Sequence, residues 1–332
     1  MFSFLKKSKD FWPQLKWQDI AILAGGLAVF VGLAASTVTK FSIWFDEAFG
    51  SYLIRFNYFE FTRFTAFDVH PPFYYWLLKT WSFAFGNTEI GLRSMSIFFG
   101  VVTIIFAFLL IMRLFGRKAA YVSLIFLVLS PMFVRYSQEA RMYTLLTSII
   151  VAATYVLVYA QEHAKKRWPW VVYGILIAIG MLTQYFAALA WLSHWVWRLL
   201  TTRSAGESWK QTKKKFFTRQ WVLAHIVGIG IFLPWLPFMV IQFATVQASG
   251  FWIQPLTSDT ITDFLTNFLT FSDYTTIQSW LALGFYIFAI ATLYLVIRLF
   301  RTLKGEQRAN YLLLLCMIVV PVILLVIASM PP

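Results

Sequence analysis

Nine stretches of this chain are apolar for long enough to be read as membrane helices. They lie near residues 18–39, 93–112, 119–134, 142–160, 169–184, 186–200, 221–243, 279–300 and 310–330. About 20 apolar residues of helix span the hydrocarbon of a bilayer. The pattern predicts an all-α polytopic membrane protein of about nine spans, one transmembrane domain over residues 1–332. The pair 169–184 and 186–200 is short for two crossings. A further apolar stretch, 71–86, is also short and opens with Pro71-Pro72. It is read as a helix lying at, or dipping into, the interface. Polar residues gather in two long connecting segments, 40–92 and 244–278, and function is expected there.

Composition supports the membrane reading. Of 332 residues, 60% are hydrophobic and 13% charged, a balance that excludes an ordinary soluble domain. Aromatic residues, which collect at membrane interfaces, make up 20%. A single cysteine, Cys316 in an apolar run, rules out an intramolecular disulfide and a cysteine-built zinc site. The net charge of +14 raises the question of nucleic acid. Its placement answers it. With a cytoplasmic N-terminus, only Lys40, Arg55, Arg63, Lys79, Arg93, Arg135 and Arg141 of the 28 basic residues fall outside. This satisfies the positive-inside rule, and a full crossing at 71–86 would reverse every later loop. Anionic lipid accounts for the inner charge, so no nucleic-acid partner is expected. The first run is too long for a cleaved signal peptide and is read as a retained anchor. The expected location is the plasma membrane, with the active face extracytoplasmic.

Most acidic residues fall on that outer side, and three clusters carry candidate chemistry. The first is Phe45-Asp46-Glu47-Ala48, just after the aromatic run Phe41 to Phe45. A carboxylate held at headgroup depth can take a proton from a hydroxyl as a general base. Equally, Asp46 can cap a helix that starts at Glu47. The second cluster is Asp68-Val69-His70-Pro71-Pro72. Pro71 biases His70 to an extended backbone, and two residues apart in extended chain Asp68 and His70 share a side. The pair suits phosphate binding, orientation of Asp68 by His70, or a divalent ion, which is compatible with these residues and not demanded by them. Lys79 follows about two turns into the next helix. The third cluster is Ser137-Gln138-Glu139-Ala140-Arg141-Met142-Tyr143. A guanidinium there matches a pair of phosphate oxygens, and Gln138 and Glu139 favour a polar pocket over an arginine that only snorkels. The second long segment carries Trp252 and the amphipathic stretch Ile261 to Leu269, read as a lid lying on the membrane.

In order and spacing these pieces resemble the GT-C membrane glycosyltransferases of the protein O-mannosyltransferase and aminoarabinose-transferase group. The matching elements are Phe45 to Ala48, Asp68 to Leu77, Phe85-Gly86 through Arg93-Ser94, and Tyr136 to Tyr143; Thr183-Gln184-Tyr185-Phe186 is a further one, where the family often has His at Gln184. The resemblance implies a GT-C-like helix bundle with interfacial helices in the first outer segment. It implies a polyprenyl-phosphate sugar donor, a protein, lipid or glycan acceptor, and inversion at the anomeric carbon. Asp46, with Glu47 beside it, is then the catalytic pair, Asp46 being the base. Arg141 holds the donor phosphate; Asp68, His70, Lys79, Gln138, Glu139 and Tyr143 complete substrate binding. No cofactor is required by this reading. It also implies an Arg-Tyr element and further spans beyond Pro332, so the chain is read as a short form or a piece. A transporter or flippase is the competing reading, but transporters place ionisable groups mid-span at broken helices. A polymerase or ligase using a diphosphate-linked donor and a non-catalytic truncated scaffold complete the alternatives.

Overall fold

The computed structural model describes residues 10–203, 206–249 and 279–328. Trp252 and the stretch Ile261 to Leu269 lie outside the described residues. Among those described, every regular element is helical.

The helices begin and end where local chemistry dictates. α1 (Trp17–Ser36) is capped by Asp19, whose carboxylate accepts the Lys16 N–H at 2.6 Å. α2 (Phe45–Leu53) is capped in the same way by Glu47. α3 (Tyr58–Ala66) has a full capping box between Asn57 and Glu60. α4 (Phe73–Phe85) follows Pro72 and stops at Gly86, where φ is +78°. α5 (Glu89–Phe115) is capped by Thr88 and ends at Gly116. α6 (Arg117–Val128) and α7 (Pro131–Tyr136) occupy the run expected to cross as 119–134. Ser130 and Pro131 divide it: Ser130 accepts the Phe133 N–H as a cap, and Pro131 cannot continue the helix before it. α8 (Tyr143–Glu162), α9 (Trp168–Thr183), α10 (Ala187–Thr202), α11 (Trp209–Phe216), α12 (Arg219–Phe232) and α13 (Leu236–Ser249) follow. One turn of tighter helix at Leu233–Trp235 joins α12 to α13. The helices Ser279–Thr302 and Gly305–Ala328 complete the described chain.

Among the described residues, five helices are long and apolar enough to cross a membrane: α1, α5, α8, the α12–α13 rod over Arg219–Val246, and Gly305–Ala328. α9 is apolar but shorter. The expected interfacial stretch 71–86 is α4. Its 13 residues span roughly 20 Å, short of the ~30 Å hydrocarbon core.

α8 is the most enclosed of the long helices. α5 packs along one side and α9 along another; α9 in turn packs on α12, and α10 on Gly305–Ala328. The α9–α12 contact is backbone to backbone. A Cβ on Gly174 would stand 2.2 Å from the Ala224 carbonyl oxygen, and one on Gly228 would stand 3.1 Å from the Gly174 carbonyl. Small residues permit this approach between membrane helices. Exposed apolar residues such as Val29, Ile226, Ile229 and Ile318 face outward from the bundle, as lipid contact requires.

Charged residues concentrate at the two ends. At one end Arg117 pairs with the fully buried Asp19 at 3.0 Å, and Arg113 pairs with Glu162. The other end gathers α2, α3, α4, α7, the start of α5 and the turn 137–142.

Candidate active site

Three pieces of chain meet at that second end. Trp44 is extended and α2 starts at Phe45, which places Asp46 and Glu47 in the first helical turn. The cap offered above to Asp46 is made by Glu47, whose Oε2 accepts the Trp44 N–H at 3.3 Å. Asp46 is left to face across the site. Its Oδ2 lies 3.2 Å from an Nη of Arg141. The exposures of the two partners differ sharply: Asp46 keeps 33% of its side-chain surface open and Arg141 only 4%. The carboxylate is thus reachable from outside while its cation is held inside.

Glu47 is locked. Arg93 of α5 donates to it through Nε at 2.8 Å and Nη2 at 2.7 Å, a bidentate fork. The Ala140 N–H donates to Oε1 at 2.7 Å. Arg93 also donates to the carbonyls of Val38, Phe41 and Ser42 and pairs with Glu89. One buried ion pair therefore joins the exit of α1, the start of α2, the start of α5 and the turn before α8. Burial works against charge on Glu47, but Arg93 and the Ala140 and Trp44 N–H groups outweigh it and hold its carboxyl below the usual range.

The second cluster arrives between α3 and α4. His70 Nδ1 lies 3.3 Å from Asp68 Oδ2, and His70 Nε2 lies 3.4 Å from an Nη of Arg141. Arg141 can only donate, so Nε2 is the acceptor and the ring proton sits on Nδ1, facing Asp68. A continuous chain runs Asp68–His70–Arg141–Asp46. Burial opposes ionisation of Asp68; its hydrogen bonds to His70 and to the Val69 N–H, with the positive charge of Arg141 nearby, prevail, so its carboxyl is held below the usual range.

The remaining expected residues divide. Gln138, buried, donates to the Ala34 carbonyl at 3.0 Å and to Thr37, tying the turn to the end of α1. Glu139 is buried and 3.5 Å from Arg135, and loss of water pushes its carboxyl above the usual range. Its backbone carbonyl accepts from Ser96. Tyr143 opens α8 with its ring edge-on to Tyr136. Lys79 turns elsewhere: it donates to the Ile54 carbonyl at 2.8 Å and lies over the rings of Tyr58 and Phe83. Among the described residues no ion pair joins Lys79 to the Asp46–Arg141 cluster, and no group of three His, Cys, Asp or Glu is placed to hold a metal ion.

Two residues outside the expected set support the site. Arg93 stood out in the sequence only as an outer cation and a matching element; an arginine at the start of an apolar helix ordinarily reads as an interfacial anchor. Gln242 of α13 gave no signal at all. It donates to the Thr65 and His70 carbonyls at 2.6 and 3.4 Å, and Tyr185 donates to its oxygen. Tyr185 in turn accepts from Trp235. Beside it, the Gln184 side-chain oxygen is buried and has no hydrogen-bond partner.

The sequence model of the dolichyl-phosphate-mannose-protein mannosyltransferase family matches residues 69–238, just over half of the chain. The chain belongs to that family. The mannosyltransferase match takes in His70, Lys79, Arg93 and the turn around Arg141, while Asp46, Glu47 and Asp68 lie ahead of it. A curated relative is the undecaprenyl phosphate-alpha-4-amino-4-deoxy-L-arabinose arabinosyl transferase of Pseudomonas savastanoi pv. phaseolicola. It is 26% identical over 171 residues, which cover 50% of this chain and 30% of the relative. Two solved structures share the fold. ArnT from Cupriavidus metallidurans, in the apo state, aligns with a TM-score of 0.55 at 18% identity, covering 90% of this chain and 59% of its own. The protein O-mannosyltransferase complex of S. cerevisiae, solved with its sugar donor bound, aligns with a TM-score of 0.51 at 18% identity, covering 79% and 38%. The chain spans less than two thirds of each of these proteins. The GT-C fold of this mannosyltransferase-family chain is thereby established.

Proposed function

We propose that this protein is an inverting glycosyltransferase that moves a sugar from a polyprenyl-phosphate donor to an envelope acceptor on the extracytoplasmic face of the plasma membrane. The observation that carries the reading is the Asp46–Arg141 juxtaposition: an accessible carboxylate 3.2 Å from a buried guanidinium. Asp46 accepts the proton of the acceptor hydroxyl. The acceptor oxygen attacks the anomeric carbon, and the bond from that carbon to the donor phosphate oxygen breaks. Polyprenyl phosphate leaves with the bonding electrons, and Arg141 stabilises the charge that develops on it. His70, held by Asp68, keeps Arg141 in place. Glu47 acts through Arg93 and Ala140 as a positioning residue. The acceptor is a protein, a lipid or a glycan, and the sugar a hexose or a pentose. In this reading the N-terminus is cytoplasmic and the nine apolar runs all cross, which brings the site outward. No step is assigned to a metal ion, and turnover in excess EDTA tests that.

The test is release of polyprenyl phosphate by purified protein in lipid nanodiscs. Polyprenyl-phosphate mannose and polyprenyl-phosphate aminoarabinose are supplied with envelope acceptors. Wild type turns over, and Asp46→Asn loses roughly 10²- to 10⁴-fold in kcat, the usual yield of a general base. Its thermal midpoint is expected to fall, because the buried Arg141 loses its carboxylate partner, and the loss in kcat is read on protein that still unfolds cooperatively above the assay temperature. Turnover by Asp46→Asn at the wild-type rate removes Asp46 as the base.

A further inference from the structure

The start of α13 turns one narrow stripe inward. Trp235, Met239 and Gln242 recur at the i, i+4, i+7 spacing of a single helix face, while Ile241 and Phe243 on either side of Gln242 are exposed. Trp235 packs with Ala66 and Leu182, and Met239 lies against the same small apolar cluster. The third place in this stripe calls for another apolar side chain and holds a glutamine only 2% exposed. A carboxamide buried there is costly unless its polar atoms find partners.

They do, and the partners lead to the site. The Gln242 Nε2 group donates to the Thr65 carbonyl, in the last turn of α3, at 2.6 Å and to the His70 carbonyl at 3.4 Å. Oε1 accepts from the Tyr185 hydroxyl, which itself accepts from Trp235 Nε1 at 2.9 Å. Carbonyls only accept, so the NH₂ must face the 65–70 segment, and the Tyr185 proton holds the carboxamide that way round. The two carbonyls bracket Asp68. His70 precedes Pro71, whose nitrogen has no hydrogen with which to tie the chain at that point. The ring of the same His70 makes the contacts to Asp68 at 3.3 Å and to Arg141 at 3.4 Å. One side chain from another helix thus closes this segment beneath the imidazole.

We infer that Gln242 is a positioning residue for the transfer reaction: it clamps the 65–70 segment so that the His70 ring meets Arg141, and Tyr185 fixes the orientation of the clamp. The inference rests on the donor reading above and gives both residues a role exerted through His70.

The full chain in nanodiscs is labelled with ¹⁵N-histidine. It has four histidines, and the His70 signals are those lost in His70→Ala. Spectra are taken at about pH 9, where imidazole is neutral. Wild type is expected to show His70 protonated at Nδ1 alone. Gln242→Met suits the apolar stripe and removes the clamp; Tyr185→Phe leaves the clamp its hydrogens and frees its orientation. In both, the His70 signals are expected to move towards the two-tautomer average of a free ring, further in Gln242→Met. The signals of His194 and His225, held in the bundle by Thr154, Tyr173 and Trp195, are expected to stay in place. In turnover by Gln242→Met, the KM for the polyprenyl-phosphate sugar is expected to rise roughly fivefold or more, the usual weight of a hydrogen bond, with the acceptor KM unchanged. Unmoved His70 signals overturn the inference. So does movement of His194 and His225 together with His70, or a loss of kcat at unchanged donor KM, since either marks a merely structural role. If His70 alone moves and wild type releases no polyprenyl phosphate, the clamp stands and the donor reading falls.

Discussion

At the scale of single residues, two neighbouring carboxylates have been given opposite situations by one turn of helix. Asp46 is partly open and faces Arg141; Glu47 is enclosed and spends both oxygens on Arg93 and backbone N–H groups. Breaking a buried pair by removing one charge leaves the other uncompensated, at a cost of about 3–5 kcal/mol. Glu47→Gln is therefore expected to lower stability by roughly that much and to take transfer activity with it. Glu47→Gln combined with Arg93→Met should regain only part of the stability, because Arg93 also satisfies the Val38, Phe41 and Ser42 carbonyls and pairs with Glu89, and none of the activity. Thermal unfolding and polyprenyl-phosphate release, measured on the same preparations, separate the two effects. The sequence made Asp46, Asp68, His70 and Arg141 visible because charge is conspicuous in an apolar chain. Residue chemistry alone did not rank Asp46 above Glu47, which only the family resemblance did, because adjacent residues carry the same pattern and only the third-position cap distinguishes them. Arg93 and Gln242 were not legible as site residues, because their partners are backbone carbonyls and a carboxylate 46 residues away.

Among the elements, the tightest helix contact is also the most easily tested. Gly174→Ala places a methyl 2.2 Å from the Ala224 carbonyl oxygen, a backbone atom that cannot swing aside. α9 and α12 must then separate, and overpacking of this kind costs about 1–3 kcal/mol. Gly25→Ala on α1 meets nothing within 4 Å and is expected to be neutral or slightly stabilising. Melting temperatures of the two variants beside wild type check the contrast. The apolar runs were legible as helices, since each coincides with a helix or, at 119–134 and 221–243, with two. Crossing length was less so. Apolar character does not report where a cap and a proline divide a run, and Ser130-Pro131 does so inside residues that otherwise read as continuous.

For the whole molecule, acidity is a test of how the end that carries the site is held. The folded pKa values of Glu47 and Asp68 are depressed, so their stabilisation is complete above the ordinary carboxylate pKa of about 4. It is lost as pH falls through the lower folded values. Glu139 carries the opposite sign. Its raised pKa means the folded protein takes up that proton earlier, and acidification through that range favours the folded state. The expected profile is a melting temperature that holds on mild acidification and then falls steeply below the ordinary carboxylate range. Glu47→Gln should flatten the steep part, and a melting curve measured from pH 7 to pH 3 on both forms checks it. The Glu47 clip has a consequence for synthesis as well. Arg93 leaves the ribosome 46 residues behind Glu47, and Ala140 follows 93 behind. A nascent chain stopped between those points holds the ion pair but not the clip. Of the groups that hold Glu47, the Ala140 N–H is the last to be synthesised, so the order of translation itself decides when this clip closes.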